Sequence, residues 1–219
     1  ATAVGLVSYR QMDDRRGISL WSDIASALRG ELSNTGVFAT TGTFIAFEGG
    51  EGSGKSTQSL LLKAALEERG QEVLLTREPG GTNLGKVLRG ILLDPETGSL
   101  APRAEALLYA ADRAHHVETV IKPALARQTV VITDRYIDSS IAYQGGGRVL
   151  SGQEIARISR WATDGLTPTL TILLDLPAHI GFGRFAERDR LESEPLDFHQ
   201  RVRSTFLERA ALYSDRYLV

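Results

Sequence analysis

The sequence predicts a three-layer α/β/α domain built on a central parallel sheet. From about residue 43 onward, short apolar β-type runs alternate with longer stretches of helical periodicity, the pattern that places parallel strands between helices. A glycine-rich run, Gly49 to Gly54, sits between the first apolar run and the first helical stretch. The chain has 219 residues, enough for one such domain with a sizeable core and a short appendage, while two full domains would be a squeeze.

Taken in order, the chain begins with mostly apolar residues, Ala1 to Val7, followed by Arg10, Arg15 and Arg16. That run is too short to span a bilayer. Two readings stand: a leader that packs on the domain, or the cut end of a membrane helix with a basic flank. Trp21, Ile24, Ala25 and Leu28 share one helical face, which predicts a short amphipathic helix over 18–28. Ser, Thr, Asn and Gly dominate 30–42, a linker, and the domain boundary is set near residue 42, leaving 1–42 as an N-terminal extension and 43–219 as the domain.

Strands are expected at 43–48, 72–76, 129–134 and 169–175. Helices are expected from Lys55 to Arg69, over 103–117 and 152–162, and from Asp197 onward, with Gly70 ending the first in a left-handed cap. Tyr217-Leu218-Val219 reads as the opening of another strand. A domain would normally complete and cover it, so both ends of the sequence are expected to be cuts in a longer protein, with a truncated C-terminus.

Net charge is -2, which offers no basic field for a long polyanion, so binding to a nucleic-acid polymer is not expected. The chain has no cysteine. That removes disulfides and zinc-thiolate sites, and it fits a reducing compartment, the cytoplasm by default.

Gly49-Gly50-Glu51-Gly52-Ser53-Gly54-Lys55-Ser56 matches G-x-x-x-x-G-K-S directly after Phe44-Ile45-Ala46-Phe47 and before a helical pattern. Glycines let successive N–H groups turn inward toward phosphate oxygens, and the following helix adds its positive end. Lys55 would reach the outer phosphates and the Ser56 hydroxyl would ligate Mg2+. Thr57, the next residue, is expected to complete the set of nucleotide contacts. The motif specifies a nucleoside triphosphate but not the acceptor of its phosphate. At the end of another apolar run stands Thr133-Asp134-Arg135-Tyr136. An acid there would hold the metal through water and Arg135 would bind an anion, while a simple ion pair at a strand end is the plainer reading.

Phe47-Glu48-Gly49 to Ser56-Thr57-Gln58, Thr76-Arg77-Glu78-Pro79-Gly80-Gly81-Thr82, Thr133 to Tyr136, and Ser139-Ser140-Ile141-Ala142-Tyr143-Gln144-Gly145-Gly146-Gly147-Arg148 together resemble bacterial thymidylate kinases, from about residue 43 to 219. The resemblance implies a P-loop fold with a lid segment, ATP and dTMP as substrates, Mg2+ as cofactor and a homodimer. It assigns the dTMP phosphate to Arg77 and Arg135, with Arg89 positioning it, since guanidinium forks match phosphate oxygens and keep their charge. It places Glu78 and Pro79 beside the sugar and phosphate, although a loop acid paired with a nearby arginine is the plainer account of Glu78. Tyr109, where bacterial relatives often carry Phe, would stack on thymine, and Arg113, four residues on, would donate to its O4. Ser140 and Gln144 would lie at the pyrimidine edge, and Tyr143 would wall the sugar or simply fill the core.

Phe185 to Glu192 corresponds to the lid and is a few residues shorter than the family pattern, so Arg188 and Arg190 are both candidates for the transition-state cation. The N-terminal region resembles chains in which this kinase follows a membrane transporter-like part. A membrane tether is therefore an expectation, and a nucleotide-sensing module without useful turnover is the alternative to an enzyme.

Overall fold

A computed structural model describes residues 42–148, 150–184 and 189–219. The expected helix over 18–28, nearly all of the linker, the expected tether and Arg188 lie outside the described residues. Five strands, β1 (Phe44–Glu48), β2 (Val73–Arg77), β3 (Val130–Asp134), β4 (Leu170–Leu173) and β5 (Tyr217–Leu218), form one parallel sheet in the order β2-β3-β1-β4-β5. β1 is central and buried along its whole length. Its alternation feeds two layers: Ile45 and Phe47 meet Leu62, Ala65 and Leu66, while Phe44 and Ala46 meet Ile121, Ala124 and Leu125.

Helix α1 (Lys55–Glu67) supplies the first of these layers. It ends as expected, with Gly70 at φ 77°, a left-handed position that costs a residue with a Cβ more than it costs glycine. Next come α2 (Asn83–Leu93) and α3 (Pro102–His116). The chain does not stop where the sequence pattern did. It runs through a π-turn, Val117–Ile121, into α4 (Lys122–Ala126). Pro123 has no N–H and its ring crowds the preceding turn, so a widened turn is how the helix passes it.

Two of the helices that escaped the sequence reading bear on the site. In α2, Leu84, Val87 and Ile91 are exposed, so its apolar stripe does not mark a core face, and Gly85 and Gly90 weaken the pattern further. The second is α5 (Ile137–Ser140), which continues as a π-helix over Ile141–Gly147. Its end is a run of three glycines, a poor helix signal from sequence alone. α6 (Gly152–Ala162) and α8 (Leu196–Leu212) fall where expected, and the short α7 (Ala178–Phe182) lies between β4 and α8.

The glycine run has a packing reason. A Cβ on Gly147 would lie 2.4 Å from Cε2 of Phe198, and one on Gly146 would lie within bonding range of Thr205. The π-helix therefore rests directly on α8. Gly147→Ala is expected to destabilise the fold by about 1–3 kcal/mol through overpacking, read as a lower denaturant midpoint at unchanged slope. An unchanged midpoint would mean that Phe198 moves aside freely.

Candidate active site

The carboxyl ends of β1, β2 and β3 open toward two cavities. The first begins at the loop after β1. Gly54, at φ 92°, precedes α1 and gives it no side-chain cap, so the helix presents unpaired N–H groups to an anion. Lys55 folds back over the loop: its Nζ donates to the carbonyls of Gly50 at 2.7 Å and Gly49 at 3.1 Å, with Ser53 Oγ at 3.4 Å. Burial, with the charge of Arg135, pushes its ammonium down to about 8, against attraction from Glu51 and Asp134. Anionic phosphate is the ligand that would restore it.

The Ser56 hydroxyl donates to Asp134 Oδ2 at 2.6 Å. A hydroxyl and a carboxylate in contact, beside a phosphate cradle, are hard oxygen donors suited to Mg2+ shared with phosphates. Gly52, Gly54, Lys55, Ser56 and Thr57 line this cavity, with Arg77 and Asp134 facing them. Arg77 is exposed and has no side-chain partner among the described residues.

Arg135 stands where the two cavities meet and lines both, as do Glu51, Glu78 and Arg89. Its φ of 72° is rare for a side chain with a Cβ, and two bonds hold it there: Arg135 N–H to Phe47 O at 2.9 Å, and Thr133 Oγ1 to Arg135 O at 2.9 Å. Its guanidinium donates to Glu51 Oε1 at 2.6 Å, Ser139 Oγ at 3.1 Å and Tyr143 Oη at 3.1 Å, and it lies over the Tyr143 ring. Tyr143 also donates to Glu51 at 2.7 Å. Burial alone would raise the Glu51 carboxyl, but Arg135 and Lys55 outweigh it and hold that group down at about 2. The Tyr143 ring meets Phe198 and Phe206 edge-on in the core and also lines a cavity.

Tyr109, Arg113, Ser140 and Gln144 come together in the second cavity, with Pro79 and Arg89 at its rim. Tyr109 and Arg113 share the buried face of α3. Arg113 is far more occupied than its sequence role suggests. Its Nε donates to Glu78 Oε2 at 2.7 Å, Nη1 to Ser159 Oγ at 3.3 Å, and Nη2 to Tyr136 O at 3.1 Å and Ser140 Oγ at 3.0 Å. Among the described residues, one N–H of Nη1 is left for a ligand. Glu78 is likewise committed: Oε1 accepts from His116 Nδ1 at 2.9 Å, and the pair with Arg113 is almost fully buried. Glu78 is thus a loop acid paired with a buried arginine, and it also lines both cavities. Arg89 donates to Pro79 O at 3.0 Å, which fixes the loop after β2.

Arg190 does not line the phosphate cavity. It donates to Leu92 O at 2.8 Å and to the buried carboxylate of Glu105, and so ties the segment after 188 to α2 and α3. Among the described residues of the segment after β4, Arg184 joins Arg135 in reaching the phosphate loop: its Nη1 donates to Gly52 O at 2.7 Å, as Arg135 does to Gly49 O at 3.2 Å. Sequence reasoning passed Arg184 over because it looked for the family's lid pattern a few residues later. Glu105 was missed as well, although it lies four residues before Tyr109 and eight before Arg113 on one helical face.

A family model described as Thymidylate kinase matches residues 47–219. The thymidylate kinase of Clavibacter sepedonicus is 60% identical over 183 residues, covering 82% of this chain and 86% of that protein. That of Cutibacterium acnes is 50% identical over 178 residues, covering 81% of this chain and 87% of its own. Among solved structures, the thymidylate kinase from Ehrlichia chaffeensis superposes with a TM-score of 0.69 at 36% identity, covering 81% of this chain and 86% of that one. None of these similarities supports the alternative of a transporter-linked sensor.

Proposed function

This chain belongs to the thymidylate kinase family, and from that premise we infer how its two cavities divide the phosphorylation of dTMP to dTDP by ATP. ATP lies along Gly49–Thr57 with its outer phosphates at Lys55 and the start of α1. The monophosphate enters the second cavity, its phosphate at Arg77, Arg89 and Arg135, its sugar against Tyr143, and its base between Tyr109, Arg113, Ser140 and Gln144. The observation that carries this reading is the shared wall: Arg135 and Glu51 line both cavities, so an anion in one faces an anion in the other.

An oxygen of the dTMP phosphate attacks the γ-phosphorus of ATP, the bond from that phosphorus to the β-γ bridging oxygen breaks, and ADP leaves. Positioning and charge neutralisation suffice, without a strong general base. Ser56 and Asp134 would hold Mg2+, which when bound neutralises charge on the β and γ phosphates. Lys55 and Arg135 then hold the donor and acceptor phosphates against their mutual repulsion. ADP release measured by a coupled assay, with and without dTMP, tests the reading. Release that depends on dTMP is expected, and release indifferent to dTMP, or none at all, would overturn it.

The chain works as a homodimer in this proposal. Leu84, Val87 and Ile91 line one exposed face of α2, with Leu107 exposed on the adjoining α3, an apolar stripe that a second copy would cover. Val87→Glu is expected to shift the sedimentation coefficient from dimer to monomer. An unchanged coefficient places the contact elsewhere. Cytoplasm is the compartment, which the lack of cysteine fits.

A further inference from the structure

Glu105 lies in the first turn of α3 with its side chain 1% exposed, and it lines neither cavity. Its carboxylate is the meeting point of three side chains. Gln144 Nε2 donates to Oε1 at 3.1 Å, Arg148 approaches both oxygens at 3.4 Å, and Arg190 donates to Oε2. Burial would raise this carboxyl, but hydrogen bonds from Gln144 and Arg190 and the charges of both arginines outweigh it and hold the group below the usual carboxylate range. An ionised carboxylate accepts hydrogen bonds and donates none.

The amide of Gln144 is the side chain on which that matters. A glutamine amide has an accepting end and a donating end of nearly equal shape, and turned over it would present the opposite chemistry to a ligand. Against Glu105 it cannot turn, because its carbonyl oxygen would then face a buried negative charge.

We propose that Glu105 is a specificity-positioning residue that locks Gln144 with its NH2 inward and its carbonyl oxygen toward the base, so that the cavity takes a base carrying N3–H and refuses one whose N3 is bare. Thymine offers N3–H to that oxygen. Cytosine offers a lone pair, and the adjustment that would accommodate it is the rotation that Glu105 forbids. Two arginines from different segments, Arg148 after the π-helix and Arg190 before α8, keep the lock charged and in place. The inference rests on the reading of Gln144 as a base contact, and it goes beyond that reading in assigning the selectivity to a residue that touches no substrate.

The test is kcat/KM for dTMP and for dCMP on wild type, Glu105→Gln, Gln144→Met and the double variant. Glutamine at 105 both donates and accepts, so it lets the Gln144 amide turn. Glu105→Gln is expected to narrow the dTMP preference by about tenfold or more, and Gln144→Met by a similar factor. In the Gln144→Met background, Glu105→Gln should change the ratio no further, whereas a merely structural role would act in both backgrounds. If Gln144→Met narrows the ratio and Glu105→Gln does not, the lock is wrong and the base contact stands. If Gln144→Met leaves it unchanged, the base contact is wrong and the proposal falls with it. Absence of dTMP turnover in wild type would sink the functional reading itself.

Should Glu105→Gln not fold, calorimetry on the wild-type chain reads the same property. Lowering the pH toward protonation of cytosine N3 gives dCMP an N3–H, and a locked acceptor then binds it more nearly as it binds dTMP. A dTMP-to-dCMP affinity ratio that stays flat across that range overturns the proposal.

Discussion

Lys55→Ala is expected to lower kcat for dTMP phosphorylation by about a thousandfold, the usual scale for losing a cation that stabilises transition-state charge, while dTMP affinity stays within about threefold. Nζ of Lys55 hangs over the phosphate loop on the carbonyls of Gly49 and Gly50 and does not line the second cavity. Steady-state kinetics gives kcat, and titration calorimetry gives the dTMP affinity and shows that the fold survives. Activity within tenfold of wild type would remove Lys55 from the phosphate site.

Arg113→Ala should cost about 3–5 kcal/mol of stability, the scale for stripping one partner from a buried ion pair. Glu78 would lose Arg113 at a site where both side chains are 2% exposed, and Tyr136 O, Ser140 and Ser159 would lose a donor together. Against a typical domain stability of about 5–15 kcal/mol, that brings the chain close to unfolding. Denaturant melts measure it. A loss below about 1 kcal/mol would mean that water replaces the guanidinium easily. Pairing Arg113→Met with Glu78→Gln should recover part of the loss, since the orphaned charge goes with its partner. The resemblance read from the sequence implies that Arg113 donates to thymine O4. In the structure that variant reports mainly on the fold, because four of the five N–H groups of Arg113 are spent on protein partners.

The sheet was legible because each strand is a short apolar run with its own punctuation: Gly49 after β1, Gly70 before β2, Asp134 at the end of β3. The phosphate loop was legible because its chemistry is local, eight consecutive residues between a strand and a helix. What sequence could not show was which polar groups are already committed to one another. Glu78 and Arg113 stand 35 residues apart, Gln144 and Glu105 39 apart, and Arg190 and Glu105 85 apart. Arg113, Gln144 and Arg190 looked available for a ligand, and only tertiary placement shows Arg113 paired with Glu78, Gln144 with Glu105, and Arg190 with Glu105 and Leu92 O. Helix α2 was passed over although Leu84, Val87 and Ile91 keep helical spacing, since Gly85 and Gly90 interrupt the run.

The ion pair between Glu51 and Arg135 lies on the wall that the two cavities share. In the proposed reading, a phosphate arriving on the dTMP side would compete with Glu51 for Arg135, and the freed carboxylate would face Lys55 and the donor phosphates. Occupancy of one site therefore alters the electrostatic state of the other. Thermodynamic linkage makes the influence mutual: whatever factor ATP applies to the affinity for dTMP, dTMP applies to the affinity for ATP. In the proposed reading one salt bridge thus couples the two occupancies, while the free energy of the loaded enzyme is the same by either order of arrival, as linkage requires.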